Sequence, residues 1–420
     1  MFICAFVSAT LGLFQFKQAE TIERTGCYLD KLEIKYTKPE GYKMIVIEKI
    51  DTRNKRHIHD YVQFPFRLYK DCPQWVPPLY SDVELQLNSE KHPFYEHSIA
   101  DFFLAYQDGE VVGRIAALEH RPYNKFHNKK IAQFYHFETV QDLEIAEALF
   151  ERVFNWAKQH QLDQVMGPKG FAVLDGYGLL KEGFEHHQIM TMMNYNYPYY
   201  VNYVESIGFE KVVDFVSCYL NRKDFNLPER IHSIADRVKK RGTLRVIRFE
   251  NKNELKKWAQ RIGKTYNSAF INNWEYAPLS DREINFILST IIDVADPRLI
   301  KVIAHKDEAV GFLLGFPDLS EGLQKAKGKL LPFGIFHLLL SMKNTKWIAV
   351  NGAGILPEFQ GRGGNALLYS ELEKTVKEHN YKFEHCDMTQ IAESAVQMRR
   401  DLVNLGGKPY KNHRVYIKTL

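Results

Sequence analysis

The sequence predicts an α/β (α+β) protein in which one fold occurs twice. Two tandem domains are expected, each a mixed, mostly antiparallel central sheet flanked by helices. Three observations lead there. First, FFLAYQDGEVVGRIAAL (102–118) and IKVIAHKDEAVGFLLGF (300–316) read as the same β-hairpin. Each is an apolar run, a polar turn at Asp-Gly or Asp-Glu, and a second run opening on Val-Gly. Second, YVESIGFEKVVDFVSCYL (203–220) and DLVNLGGKPYKNHRVYIKTL (401–420) both read as a helix end, a glycine stop and closing strands. Third, the segments between follow one order in both halves, the signature of an internal repeat.

A strand opens each half, at 45–49 and at 244–249. Helical segments follow, at 55–70 in the first half and at 252–270 and 281–294 in the second, and then the hairpin. Next come a strand (131–138; 346–356) and an amphipathic helix (142–160; 362–379). Leu149, Val153 and Ala157 form an i, i+4 stripe on the first of these helices, and Leu368, Leu372 and Val376 on the second, so each should pack on a sheet. A further strand (163–168; 382–388), a last helix and the closing strands complete the half. The first half inserts a long loop at 168–199, and the second an extra helix-like piece at 320–342. The polar bridge at 222–243 reads as a linker helix opened by Pro228.

The expected organisation is therefore a poorly structured extension over 1–43, a domain over 44–222, a linker over 223–243 and a second domain over 244–420. The length of 420 residues suits two domains. Residues 2–16 are apolar but too short to span a bilayer, and they lack the basic start of a signal peptide. They read as a weak membrane-touching segment or as a poorly ordered extension. Met44, just before the first convincing strand, favours the second reading, and no stable membrane insertion is expected.

Composition excludes several classes. A net charge of +5 is far from the dense basic footprint of a nucleic-acid binder, so no nucleic-acid partner is expected. The five cysteines are scattered and form no C-x-x-C pair, which argues against a disulfide framework or zinc site and for a reducing, cytoplasmic setting. The 16 histidines show no ligand spacing, and no metal is expected. Oligomeric state is not legible.

One stretch carries chemistry. Strand WIAVNGAGIL runs into QGRGG (360–364), and helix NALLYSELEKTVKEH runs out. The first amides of a helix have no intrahelical acceptor, and the helix dipole adds partial positive charge there. Gly361, Gly363 and Gly364 allow those amides to converge and a ligand to approach, and Arg362 adds a permanent charge with directed donors. Such a place suits a phosphate or pyrophosphate. A glycine-rich turn that merely joins strand to helix is the plainer reading. No P-loop is present, and Gly352-Ala353-Gly354 does not complete a dinucleotide fingerprint.

The run PEFQGRGGNALL (357–368) resembles the acyl-CoA signature, Q/R-x-x-G-x-G/A, of the GNAT superfamily of N-acyltransferases. Residues 244–420 resemble that fold throughout, and 44–222 resemble it without the signature, a tandem arrangement of two GNAT-like domains. Gln360 and Gly363 fall on the motif, while Asn365 stands at its last small position. The resemblance implies that the backbone of about 361–366, Ala366 included, holds the pyrophosphate of coenzyme A. It implies that the backbone at Ile355 and Leu356 runs beside the pantetheine arm, where an N–H could polarise the thioester carbonyl. Gly352 and Gly354 would mark a bulge that parts this strand from its neighbour. At the matching place in the first half no glycine occurs, and Glu138 and Asp142 stand where an anion needs donors. One coenzyme A site is therefore expected, in the second half.

An amine attacking a thioester must lose a proton. Asp387 and Asn351, near the ends of the two strands, are the candidate catalytic residues, with helix capping as the alternative for Asp387. His385 and Cys386 read more simply as core, and Tyr410, His413 and Tyr416 as packing residues that could also serve the thiolate. Where the family often has a tyrosine, four residues before the glycine that ends the last helix, this chain has Leu402. Asp175 and Glu182, in the long loop of the first half, are available to hold an amine if that loop lines an acceptor pocket.

The expected function is N-acyl transfer, with acetyl the expected group, from acetyl-CoA or another acyl-CoA to an amine on a small molecule or peptide, directly and without metal. A non-catalytic acyl-CoA-binding protein and an aminoacyl-tRNA-dependent transferase on the same doubled fold are the alternatives.

Overall fold

Alternating and turn-forming residues build the frame. A computed structural model of the chain describes residues 44–420 except 174, 191, 226, 272, 275 and 379–382. The expected extension over 1–43, with its apolar stretch, lies outside the described residues. In chain order the first part runs β1 (Ile45–Lys49), α1 (Lys55–Leu68), α2 (Tyr80–Leu87), β2 (Ile99–Gln107), β3 (Glu110–Glu119) and α3 (Arg121–His127). It continues with β4 (Ile131–Thr139), α4 (Leu143–Gln159), β5 (Gln164–Gly167), β6 (Leu179–Glu182), α5 (Tyr199–Ser206) and β7 (Glu210–Asn221). The next element is α6 (Glu229–Arg241), entered through Pro228. Then come β8 (Arg245–Ile247), α7 (Lys252–Ala269), α8 (Asp281–Val294), β9 (Lys301–His305) and β10 (Glu308–Pro317). The chain ends with α9 (Ser320–Ala326), α10 (Gly334–Asn344), β11 (Trp347–Ile355), α11 (Gly364–Glu378), β12 (His385–Ala392), α12 (Val396–Asn404) and β13 (Lys408–Thr419).

Both hairpins form. The β2–β3 turn carries Asp108 and Gly109 at φ 52° and 82°, the pair of left-handed residues that matches the twist of two strands. The thirteen strands among the described residues join one sheet, in the order β1-β2-β3-β4-β5-β13-β7-β12-β11-β10-β9-β8, with β6 also on β13. The centre of that order differs from the simple reading. The closing strand of the first part, β7, pairs with β12, and the closing strand of the whole chain, β13, pairs with β5. The two closing strands pair antiparallel with each other from Lys408↔Tyr219 to Ile417↔Glu210. Each half is thus completed by the other's last strand.

Helices cover both faces. On α4, Leu149, Val153 and Ala157 are buried against Phe103, Ile115 and Phe134 of β2–β4, as the i, i+4 stripe predicts. α7 and α8 pack on Phe312 and Leu314 of β10, while α6, α11 and α12 share a core on the other side with Leu313, Ile348 and Val350. Among the described residues no helix is long and apolar enough to cross a membrane.

Candidate active site

The site grows from a parting of strands. β11 and β12 run parallel and pair from Trp347↔His385 to Val350↔Met388, and pairing then stops although both continue. Each strand carries a bulge at that point. In β11 the register against β10 shifts between Val350 and Ala353, with Gly352 at φ 109°. In β12 it shifts against β7 between Met388 and Ile391, with Gln390 at φ 47°. A bulge bends its strand, and two of them open a wedge.

The open edge of β11 can be read by alternation. Leu356 N–H donates to Val310 O at 2.9 Å, so Leu356 faces β10 and Ile355 and Ala353 turn their backbone groups to the wedge. Consistent with this, Ile355 O accepts from Gln360 Nε2 at 3.1 Å. Of the two predicted positions, Ile355 therefore offers an N–H to the wedge. Leu356 does not, because its N–H is spent within the sheet.

A short helical turn over Pro357–Phe359 leads to the loop. Gly361 and Gly363 both adopt left-handed backbone, at φ 71° and 85°. They differ in surroundings. A Cβ on Gly361 would meet nothing, whereas one on Gly363 would come within 2.7 Å of Val238 and 2.9 Å of Ile234, both on α6. The backbone N–H groups of residues 361–366 have no acceptor among the described residues. They stand at the head of α11, with the Arg362 guanidinium held over the Phe359 ring at 5.1 Å. Gln360, Gly361, Arg362, Gly363, Gly364, Asn365 and Ala366 thus lie together beside the wedge, and the donors suit a diphosphate.

The wedge opens into a cavity of about 380 Å³. Asn351, Gly352 and Ala353 of β11 and Thr389, Gln390 and Ile391 of β12 line its throat, and Ile262, Tyr266, Leu288 and Ile291 of α7 and α8 its apolar wall. Asn351 therefore stands where the sequence expects a catalytic group. Asp387 does not line this cavity. It precedes the parting and is fully buried, accepting from Thr389 Oγ1 at 2.5 Å and from the Tyr410 hydroxyl. Burial raises its carboxyl pKa against the pull of Lys411. Lys411, itself buried, donates to His187 O at 2.6 Å. Asp387 thus anchors the inner layer where β12 and β13 meet the long loop, with Thr389 its link to the cavity throat.

The long loop supplies what the throat lacks. Asp175 lines this cavity and also a second one, of about 290 Å³. Its Oδ2 accepts from Phe171 N–H at 2.6 Å and Ala172 N–H at 3.0 Å, while among the described residues Oδ1 has the Gln86 amide alone, at 3.5 Å. Burial pushes this carboxyl up to about 6. A carboxylate with one open oxygen between two cavities can hold an amine and take its proton. Glu182 lines neither cavity. In β6, Leu179 faces the second cavity and Glu182 stands exposed opposite Asn412.

The second cavity sits where β4 leaves β5. Their pairing ends at Gln133↔Met166, and β4 has its own bulge, with His136 at φ 48°. Sequence reasoning did not pick out Arg114 or His136 here. Arg114 Nε donates to Glu138 Oε2 at 2.6 Å, and the Tyr61 hydroxyl lies 3.3 Å from His136 Nδ1. A signal existed, since VVGRIAAL and FYHFE each put charge or imidazole into an apolar strand. The counterpart of the anion loop is closed, because Asp142 caps α4 by accepting from Glu144 N–H at 2.9 Å.

Of the remaining candidates, His413 is buried with Nε2 3.0 Å from Asn194 O, and the Tyr416 hydroxyl donates to Glu205 at 2.9 Å. His385 Nδ1 lies 2.7 Å from the Tyr219 hydroxyl. Cys386 and Leu402 line a third, apolar cavity on the α11–α12 side.

This architecture defines a class. The chain has the fold of the GCN5-related N-acetyltransferases in its tandem form. It superposes on a tandem GNAT protein from the clavulanic acid biosynthesis pathway with a TM-score of 0.51 over 89% of this chain and 98% of that one, at 11% identity. It also superposes on the GCN5-related glucosamine N-acetyltransferase region of a fungal multi-domain GH3 β-N-acetylglucosaminidase, at 0.53 and 10% identity, covering 90% of this chain and 38% of that one. No family model matches the chain. By sequence it is similar to Protein YghO of Escherichia coli (strain K12), 26% identical over 371 residues, covering 87% of this chain and 94% of that protein. It is likewise 26% identical over 378 residues to the bacterial ceramide synthase of Caulobacter vibrioides, covering 88% of this chain and 97% of that enzyme.

Proposed function

We propose that this protein is an acyl-CoA-dependent N-acyltransferase that moves a fatty acyl group onto the amine of a long-chain lipid base. The parting of β11 and β12 beside the unpaired amides of 361–366 carries the reading. In it, those amides and Arg362 bind the diphosphate of coenzyme A. The open edge of β11 pairs with the pantetheine arm, and Ile355 N–H points toward the thioester. The amine approaches from Asp175, which takes its proton as the carbonyl carbon is attacked, and thiolate leaves as coenzyme A. Transfer is direct, within a ternary complex.

Two observations extend the reading past acetyl. The cavity of about 380 Å³ has more room than a two-carbon group needs, and its wall is mostly aliphatic and aromatic. A relative matched along nearly its whole length is named a ceramide synthase, which points to an amine carried on a lipid. Leu402 is buried in the α11–α12 core, so that place offers no tyrosine hydroxyl to the departing thiolate.

The test is thiol release by the full chain from palmitoyl-CoA or acetyl-CoA, with sphinganine, a short alkylamine or a peptide as acceptor. Release that needs both palmitoyl-CoA and sphinganine supports the reading. Calorimetric binding of coenzyme A without release on any amine would instead favour a non-catalytic acyl-CoA-binding protein.

A further inference from the structure

Of the twelve large apolar side chains exposed among the described residues, seven lie within 330–340: Leu330, Leu331, Phe333, Ile335, Phe336, Leu339 and Leu340. Phe333, Phe336 and Leu331 are 70%, 64% and 71% exposed. Scattered exposed leucines need no explanation, but a contiguous run over one short helix and the turn that leads into it does. The inner side of α10 is satisfied. Gly334 and Ser341 are buried against α9, and Leu338 and Met342 reach the core beneath α7 and α8. The outer side meets no described residue that buries it.

Charge selects the occupant. From Gly322 to Lys346 there are five lysines and no aspartate or glutamate. Lys325 and Lys346 pair with Glu321 and Glu384, while Lys327, Lys329 and Lys343 have no ion pair among the described residues. An apolar ridge rimmed by unpaired lysines complements a lipid surface with anionic headgroups. At 11 residues α10 is about 16 Å long, too short to span a bilayer, so it would lie in the interface.

The ridge is also joined to a cavity wall. Gln324 of α9 donates to Pro73 O at 2.8 Å and Trp75 O at 2.9 Å, and Tyr80 N–H donates to Gly328 O at 2.8 Å. Trp75, Val76 and Pro78 of that same segment line the cavity of about 290 Å³ shared by Asp175. We propose that α10 and the 327–333 turn dock this protein on an anionic membrane surface, with the lipid face adjoining that cavity's wall. Its use in lipid acylation rests on the reading above, whereas the docking itself does not.

The experiment is flotation of the full chain with vesicles of phosphatidylglycerol and phosphatidylethanolamine, against phosphatidylcholine vesicles, without acyl-CoA. Wild type should float with the anionic vesicles and be released by high salt. The triple variant Phe333→Ser, Phe336→Ser, Leu340→Ser should lower the bound fraction about tenfold at an unchanged melting curve. Lys327→Glu, Lys329→Glu, Lys343→Glu, on the rim alone, should abolish the preference for anionic vesicles. Absence of wild-type flotation overturns the proposal. So does equal flotation of wild type and the apolar variant, which would assign binding to another segment such as residues 2–16. A dimer that the apolar variant turns into monomer, with vesicle binding unmoved, overturns it in favour of a subunit contact. A chain that docks yet fails to bind coenzyme A would sink only the acyl-transfer reading.

Discussion

The Gln390 amide closes on the backbone of Tyr177 from both sides: Nε2 donates to Tyr177 O at 2.8 Å, and Tyr177 N–H donates to Oε1 at 3.2 Å. Gln390 is the left-handed residue at the bulge of β12, and Tyr177 belongs to the long loop that carries Asp175. One side chain therefore ties the wedge to the loop that faces it.

Replacing Gln390 with Ala removes both bonds and leaves a Cβ in left-handed backbone. The expected loss is ~1–3 kcal/mol in chemical denaturation. Gln390→Gly should lose less, because it relieves the backbone. In turnover, both variants should raise the acceptor KM while coenzyme A affinity stays at the wild-type value. Equal stability of the Ala variant and wild type would show that the clamp carries no net energy.

Asp175 makes a pH prediction whose sign differs from that of most carboxylates. Its folded pKa is about 6, raised by burial above the ordinary value near 4. A group raised on folding contributes stability that is full below the unfolded pKa and is lost as pH rises through the folded one. Asp175→Asn should therefore flatten stability between about pH 4 and 6. If Asp175 is the base, kcat/KM should rise through about pH 6 in wild type, and that limb should vanish in Asp175→Asn. A limb that survives the substitution assigns the base elsewhere.

Much of this arrangement was legible because its signals are local. Alternation around Asp108-Gly109 marks a hairpin, and PEFQGRGG marks a helix head with free amides. The exchange of β7 and β13 was not legible. Their patterns announce strands, but alternation says only which face is buried and nothing of which strand lies alongside. Asp214 and Arg414 meet across 200 residues of chain, and no window reports that. Glu182 misled for a related reason. The segment reads as loop, where any acid can turn inward, yet Leu179–Glu182 is strand, and the pleat that aims Leu179 at the cavity puts Glu182 on the surface.

The two loop glycines separate packing from ligand binding. Gly361→Ala meets no neighbour, so its cost is the left-handed backbone alone, ~1 kcal/mol, yet it places a methyl beside the free amides. Coenzyme A affinity should fall about tenfold with only a small change in melting temperature. Gly363→Ala adds a clash with Val238 and Ile234 of α6, and should lower both affinity and stability. Arg362→Glu should weaken coenzyme A binding more than Gly361→Ala and leave melting unmoved, since among the described residues Arg362 makes no ion pair and lies over the Phe359 ring. Calorimetry with coenzyme A and thermal melting, run on the same three variants, decide this.

The exchange itself can be tested at its centre. Arg414 of β13 donates from Nε to Asp214 Oδ1 at 2.8 Å and from an Nη to Oδ2 at 3.0 Å, a two-point pair across the exchanged strands. Burial alone would raise the Asp214 carboxyl, but its bonds to Arg414 and Lys211 hold it down to about 2. A depressed folded pKa contributes stability that is present above the unfolded value and is lost as pH falls toward the folded one. Wild type should therefore weaken between about pH 4 and 2 in a step that Asp214→Asn lacks. Arg414→Ala leaves Asp214 without its two-point partner and should cost ~1.5–3 kcal/mol at neutral pH. The same pair predicts how the chain comes apart. With β7 bound into one end of the sheet and β13 into the other, urea should unfold residues 44–420 in a single transition. Two transitions, with Arg414→Ala moving only one, would mean that the closing strands do not couple the two ends.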